Sequence, residues 1–186
     1  MFKKMRGFTL IELLIVVAII GILAAFLIPN ALEAIQKAKQ KSAMKEVMVI
    51  ATASMDYITD HGDWSNCIQT GSITESTAFY TALSSFYVKI IPSNDPWNYP
   101  YQADCGSAAA SGILGGAEAT DFSDEDFVIQ SFGRDKKDGP IAAGDYIAGS
   151  ADSGFYNVSR MGDFDNDLVN WSGSWVVGPR MSKVGG

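Results

Sequence analysis

The chain has 186 residues, with 21 acidic against 14 basic side chains, a net charge of −7, one histidine and two cysteines. That length accommodates one long helix and one globular domain. A single histidine, with no Gly-x-Ser-x-Gly elbow, P-loop or dinucleotide fingerprint, gives little support to an enzyme. Charge is unevenly placed: residues 1–45 hold seven Lys/Arg against Glu12 and Glu33 (+5), and residues 46–186 hold seven against nineteen acids (−12), which argues against nucleic-acid binding.

The chain opens on a basic stretch, Lys3, Lys4 and Arg6, that ends at Gly7 and gives way to Phe8-Thr9-Leu10-Ile11-Glu12. Leu13 to Ile28 then carry no charged or hydrogen-bonding side chain. As a helix, Phe8–Ile28 spans roughly 31 Å at about 1.5 Å per residue, which is about the hydrocarbon thickness of a bilayer. The basic residues place the preceding end on the cytoplasmic side and the remainder across the membrane. A secretory signal peptide cut near Leu23-Ala24-Ala25 and a plain single-pass anchor are the simpler readings. Both leave Glu12 unexplained, because an acid within an apolar span is costly and points to a function with a partner.

Pro29 closes the apolar run and predicts a kink or local melting over Ala25–Asn30. Beyond it Met44, Val47, Met48, Ala51, Met55 and Ile58 form one apolar stripe at helical spacing. Lys37, Lys39, Lys41 and Lys45 crowd the earlier turns, as a solvated face or as a contact for anionic headgroups or acids of neighbouring subunits. The helix should stop near Asp60-His61-Gly62, with His61 as a capping group.

The composition then turns to Gly, Ser, Thr, Asp and aromatic residues. Thr77–Lys89 reads as a short amphipathic helix, Tyr99–Gln102, Asp126–Phe132 and Ser174–Val177 as strands, and Ala108–Gly112 and Gly115-Gly116 as loop. Together they predict an α+β fold, a long helix packed on a small antiparallel sheet. Trp97 and Trp171 read as core or sheet-covering aromatics. Cys67 and Cys105 form an even pair, either two buried free thiols or, as is commoner in an exported domain, a disulfide closing a 38-residue loop. Asp163, Asp165 and Asp167 alternate as in an EF-hand, but Leu168 and Ser174 occupy the glycine and glutamate positions, so that assignment fails. An acidic turn, solvated or cation-binding, remains.

The segment from Lys3 to about Asn30 resembles the class III prepilin leader of type IV pilins and type II secretion pseudopilins. Asp95-Pro96-Trp97, Pro100-Tyr101-Gln102, Ser131-Phe132-Gly133 through Asp135, and Asp165-Asn166-Asp167-Leu168-Val169-Asn170-Trp171 resemble the major pseudopilin's signature. The resemblance implies a leader (1–7), a transmembrane and filament-core helix (8–28), an amphipathic half (29–61) and a pilin-roll head (62–186). It implies cleavage between Gly7 and Phe8 by a prepilin peptidase, methylation of the Phe8 amine, and neutralisation of that ammonium by Glu12 of a neighbouring subunit. It implies a helical homo-oligomer assembled from the inner membrane by a platform and a cytoplasmic ATPase, with minor pseudopilins and a periplasmic head. It further implies a structural calcium held by Asp135, Asp165, Asp167 and the Phe132 carbonyl, with Asp163 and Asn166 nearby. The cysteine pair and the long stretch Ile141–Arg160 are more reminiscent of type IV pilins, which leaves a long surface pilus as the alternative.

Overall fold

The computed structural model describes residues 7–65, 70–106, 114, 122–137, 139, 143–147, 149–150 and 153–180. Two compact units divide the chain, Met1–Gln36 and Lys37–Gly186.

Helix α1, Leu10–His61, begins in the first unit and ends in the second. Its most apolar 18-residue window has a mean hydropathy of 3.0, and none of that window is buried. It is the one described helix long and apolar enough to cross a membrane. The melting expected over Ala25–Asn30 does not occur: the helix runs through Pro29 without a break. An interior proline costs about 3 kcal/mol, which this 52-residue helix absorbs without ending.

In the second unit the buried face of α1 is Gln40, Ala43, Val47, Ile50, Ala51, Ala53, Ser54 and Tyr57. The predicted stripe is rotated from this one. Val47 and Ala51 are buried as expected, whereas Met48 and Met55 are exposed and the small residues Ala43 and Ser54 face inward. Small side chains let the sheet approach the helix closely, a preference that an apolarity count misses. The helix ends as expected: Gly62 takes φ +90°, its N–H donates to the Ile58 carbonyl at 2.7 Å, and the His61 ring stacks on Tyr57 with Nδ1 3.1 Å from the Tyr57 carbonyl.

Helix α2, Ala78–Leu83, is shorter than the predicted segment; Thr77 caps it by accepting from the Tyr80 N–H. Five strands follow: β1 Gln102–Cys105, β2 Phe127–Ser131, β3 Phe155–Tyr156, β4 Leu168–Trp171 and β5 Ser174–Pro179. They form one sheet in the order β1-β2-β4-β5-β3. Three pairings are antiparallel, but β3 runs parallel to β5, so the sheet is mixed. Strand β1 begins where the predicted Tyr99–Gln102 strand ends. Strands β4 and β5 form a hairpin through Ser172-Gly173, both at positive φ, the backbone twist that a two-residue turn requires.

All of β2 is buried, because both sheet faces are covered. Phe127 and Ile129 pack with Ile50, Tyr57, Phe79 and Leu83, while Val128 faces a second cluster with Tyr156, Val169 and Val177. Trp97 is buried with Ala43 and Leu168, and Trp171 is half-buried against Phe122, as expected of structural aromatics.

Candidate functional site

At the start of α1, Thr9 and Glu12 close a capping box. Thr9 donates to Glu12 Oε2 from its backbone N–H at 2.9 Å and from its hydroxyl at 2.5 Å, and the Glu12 N–H donates back to Thr9 Oγ1 at 3.3 Å. The Thr9-x-x-Glu12 spacing is that of a capping box. One carboxylate oxygen therefore satisfies helix-end donors. Phe8 is 76% exposed. Among the described residues, a Cβ built at Gly7 meets nothing within 4 Å.

The second site is the acidic turn. The two stretches singled out in the sequence do meet. Gly133 lies against the carbonyls of Phe164 and Asn166, where a Cβ would come within 2.8 and 2.7 Å, and the Arg134 N–H donates to the Phe164 carbonyl at 2.8 Å. Arg134 Nε and Nη2 then donate to Asp165 Oδ1 and Oδ2 at 2.7 and 2.8 Å, a two-pronged pairing. Asp167 is wholly buried; its Oδ2 accepts from Gln130 at 2.8 Å and its Oδ1 from the Gly139 N–H at 3.0 Å.

These contacts involve the carboxylates that the resemblance assigns to calcium. Both oxygens of Asp165 and of Asp167 already accept from protein donors. Asp135 is exposed, accepting from the Lys137 N–H at 3.2 Å. The ring of Phe132 packs on Tyr99. Asp163 accepts from the Ser159 and Arg160 N–H groups at 2.7 and 2.9 Å, which holds its carboxyl below the usual range, and Asn166 donates to the Asp163 carbonyl. Among the described residues no three acids, histidines or cysteines gather as a metal site. Among the described side chains, a guanidinium already pairs with Asp165, and Gln130 and the Gly139 N–H occupy Asp167.

Asp95 has a role that its motif alone did not show. It is buried and accepts from the Trp97 and Tyr99 N–H groups at 3.0 and 2.9 Å and from the Ser131 hydroxyl at 2.9 Å. Burial pushes its carboxyl up, against the pull of those donors. It ties the Asp-Pro-Trp turn to the end of β2.

Cys105 ends β1, fully buried; Cys67 lies outside the described residues, and so does the expected disulfide. The chain at Gly71 and Ser72 runs along β1, since the Ala103 N–H donates to the Gly71 carbonyl at 2.9 Å and Ser72 bridges to Gln102.

A family profile described as the prokaryotic N-terminal methylation motif matches residues 2–28. The type II secretion system core protein G of Vibrio cholerae is 36% identical over 107 residues, 54% of this chain and 73% of the relative. The chain belongs to the type II secretion system core protein G family. The Escherichia coli core protein G is 29% identical over 140 residues, 72% of this chain and 95% of the relative. A type IV major pilin protein of Myxococcus xanthus is 46% identical, but over 61 residues and 28% of its own length. No solved structure matches the chain. Within this core protein G family, the Gly7–Glu12 stretch and the acidic turn are the two features that both sequence and structure single out.

Proposed function

We propose that this chain is the major filament-forming subunit of a type II secretion system. It is held in the inner membrane by α1 with its head in the periplasm, then polymerised to move exported cargo, and it performs no catalysis of its own. The apolar length of α1 carries this reading. From Leu10 to Ile28 its large side chains stand exposed, which in water opposes solubility and calls for lipid first and other copies of the helix later. Removal of residues 1–7 by a prepilin peptidase leaves Phe8 as a charged amine four residues from Glu12, and its methylation follows. In hydrocarbon, Glu12 of one copy and the Phe8 ammonium of the next each remove the other's desolvation cost, which fixes register.

The chemistry of Gly7 supports external processing. Among the described residues nothing crowds Gly7, and its small size suits a protease cleft. At the acidic turn Arg134 supplies the positive charge that the resemblance assigned to calcium. The two-pronged Asp165 contact supports that assignment. A Cys67–Cys105 disulfide is supported by the course of the chain at Gly71 and Ser72 beside β1.

Expression of the full chain with its secretion apparatus tests the reading. Electron microscopy should show fibres containing this subunit, and deletion should stop cargo export. Long retractile surface fibres with export intact would favour the type IV pilus instead.

A further inference from the structure

The head carries a largely exposed aromatic knob. Phe86 is 79% exposed and Ile90 69% exposed, in a turn that follows α2. That turn is fixed: Ser85 adopts φ +70°, its N–H donates to the Val88 carbonyl at 2.8 Å, and the Phe86 ring meets Tyr87 edge-on at 4.8 Å. A rigid exposed aromatic loses little freedom on docking. Two acids flank it. Tyr87 donates to Asp60 Oδ2 at 2.9 Å, and Asp56, Asp60, Phe86 and Tyr87 line one shared hollow.

The same unit carries the complement. A recess of about 480 Å³ is lined by Lys37, Lys41, Met44, Pro179 and Arg180, and an apolar hollow beside it adds Trp175. The recess combines three basic side chains with apolar Met44, Val158 and Pro179, and Gln40 and Asn157 complete its lining. The knob is apolar at its tip and acidic at its base.

We propose that the Phe86 knob, with Asp56 and Asp60, seats in the Lys37–Lys41–Arg180 recess of a second copy of this chain. The inference rests on the filament reading and names a head-to-head contact within it. Spacing gives it a register. Lys37 and Lys41 are four residues apart on α1, and so are Asp56 and Asp60, each acid nineteen residues beyond its lysine. Parallel helices shifted by roughly 28 Å, nineteen residues at about 1.5 Å each, bring both pairs together at once. The two faces lie about 100° apart around the helix at 3.6 residues per turn. A contact between different faces of identical copies does not close on itself as a two-fold dimer does; with an axial shift it builds an open helix. A recess with apolar walls suits a protruding side chain better than a flat layer of headgroups.

Zero-length carbodiimide coupling of assembled fibres, followed by peptide mass spectrometry, is the direct test. Within one copy Lys41 and Asp60 lie roughly 28 Å apart along α1, so a Lys41–Asp60 or Lys37–Asp56 amide can only join two copies. These cross-links should appear in fibres and be absent from detergent-dispersed monomer. Lys41→Asp and Asp60→Lys should each lower fibre yield roughly tenfold or more, the scale of one close charge pair. The double exchange, which restores the pair, should recover it. Fibres that form without either cross-link, or single variants that assemble as the wild type does, would overturn the contact while leaving the filament reading intact. So would a Lys41→Asp defect that appears as lost binding to anionic vesicles and is not rescued by Asp60→Lys, which would assign the recess to headgroups. Absence of any wild-type fibre would remove the filament reading, and this contact with it.

Discussion

Glu12 has two jobs in this account, and Glu12→Gln separates them. Inside the chain its Oε2 accepts from the Thr9 N–H and hydroxyl. A glutamine keeps an oxygen at that reach, so the helix start loses only part of a cap interaction worth about 1 kcal/mol. Between chains the charge is irreplaceable. Leaving the neighbour's Phe8 ammonium unpaired in an apolar bundle costs about 3–5 kcal/mol. That corresponds to roughly a hundred- to several-thousand-fold weakening of each contact, at 1.4 kcal/mol per factor of ten. Thr9→Ala does the reverse, removing the hydroxyl of the box and keeping the charge, and should weaken assembly about fivefold. Fibre yield per membrane-resident, processed subunit is the assay, read by shearing and quantitative immunoblotting. Glu12→Gln should leave processed monomer and almost no fibre, with Glu12→Leu no better. The reasoning is refuted if Glu12→Gln assembles as well as wild type, or if Thr9→Ala is as damaging as Glu12→Gln.

Other outcomes concern the head. Burial pushes Asp104 up to about 6, with the Gly71 N–H at 3.3 Å as a weak counter-pull. A carboxyl that binds its proton more tightly when folded contributes stability below about pH 4, its unfolded range, and loses it as pH rises through about 6. Asp104→Asn should therefore stabilise the head at pH 7 by about 1–3 kcal/mol, with the gain vanishing near pH 4; an equal gain at both pH values in denaturant melts would contradict this. Arg134→Ala should lower the melting temperature by about 2–4 °C, for a partly exposed pair worth about 1 kcal/mol. Calcium or a chelator should not move the wild-type melt; a calcium-dependent rise would mean that a metal, not Arg134, neutralises the turn. Non-reducing thiol labelling of the denatured protein should find no free cysteine, and reduction should cost about 4 kcal/mol for the 38-residue loop; two labelled thiols would rule the disulfide out.

The most legible features in the sequence were those set by local physics. The end of α1 at His61 was readable because Gly62 takes a conformation that other residues avoid. Strands β2 and β5 were readable as β-rich runs between turn residues. Strand β4 was missed because Leu168–Trp171 was taken as part of an acidic signature, although Trp171-Ser172-Gly173-Ser174 carries a two-residue hairpin turn. Strand β3 has two residues and is parallel, too short for any pattern. Its pairing depends on Gly154, where a Cβ would fall 2.2 Å from the Val176 carbonyl. The acidic stretches were correctly expected to meet, but their chemistry was not legible. Counting carboxylates suggests a cation; Arg134, just ahead of Asp135 in sequence, pairs with Asp165 across the turn, a contact the sequence does not announce. The buried face of α1 was misjudged for a related reason: close approach selects small residues such as Ala43 and Ser54, which hydropathy ranks low.

Intact mass and N-terminal sequencing of the protein recovered from membranes test the central claim most directly. The mature protein should start at Phe8, carry one methyl group on its amine and retain the whole apolar helix. A chain that starts beyond Ala25 would contradict it, because the Glu12 partnership and the filament core would both have been discarded.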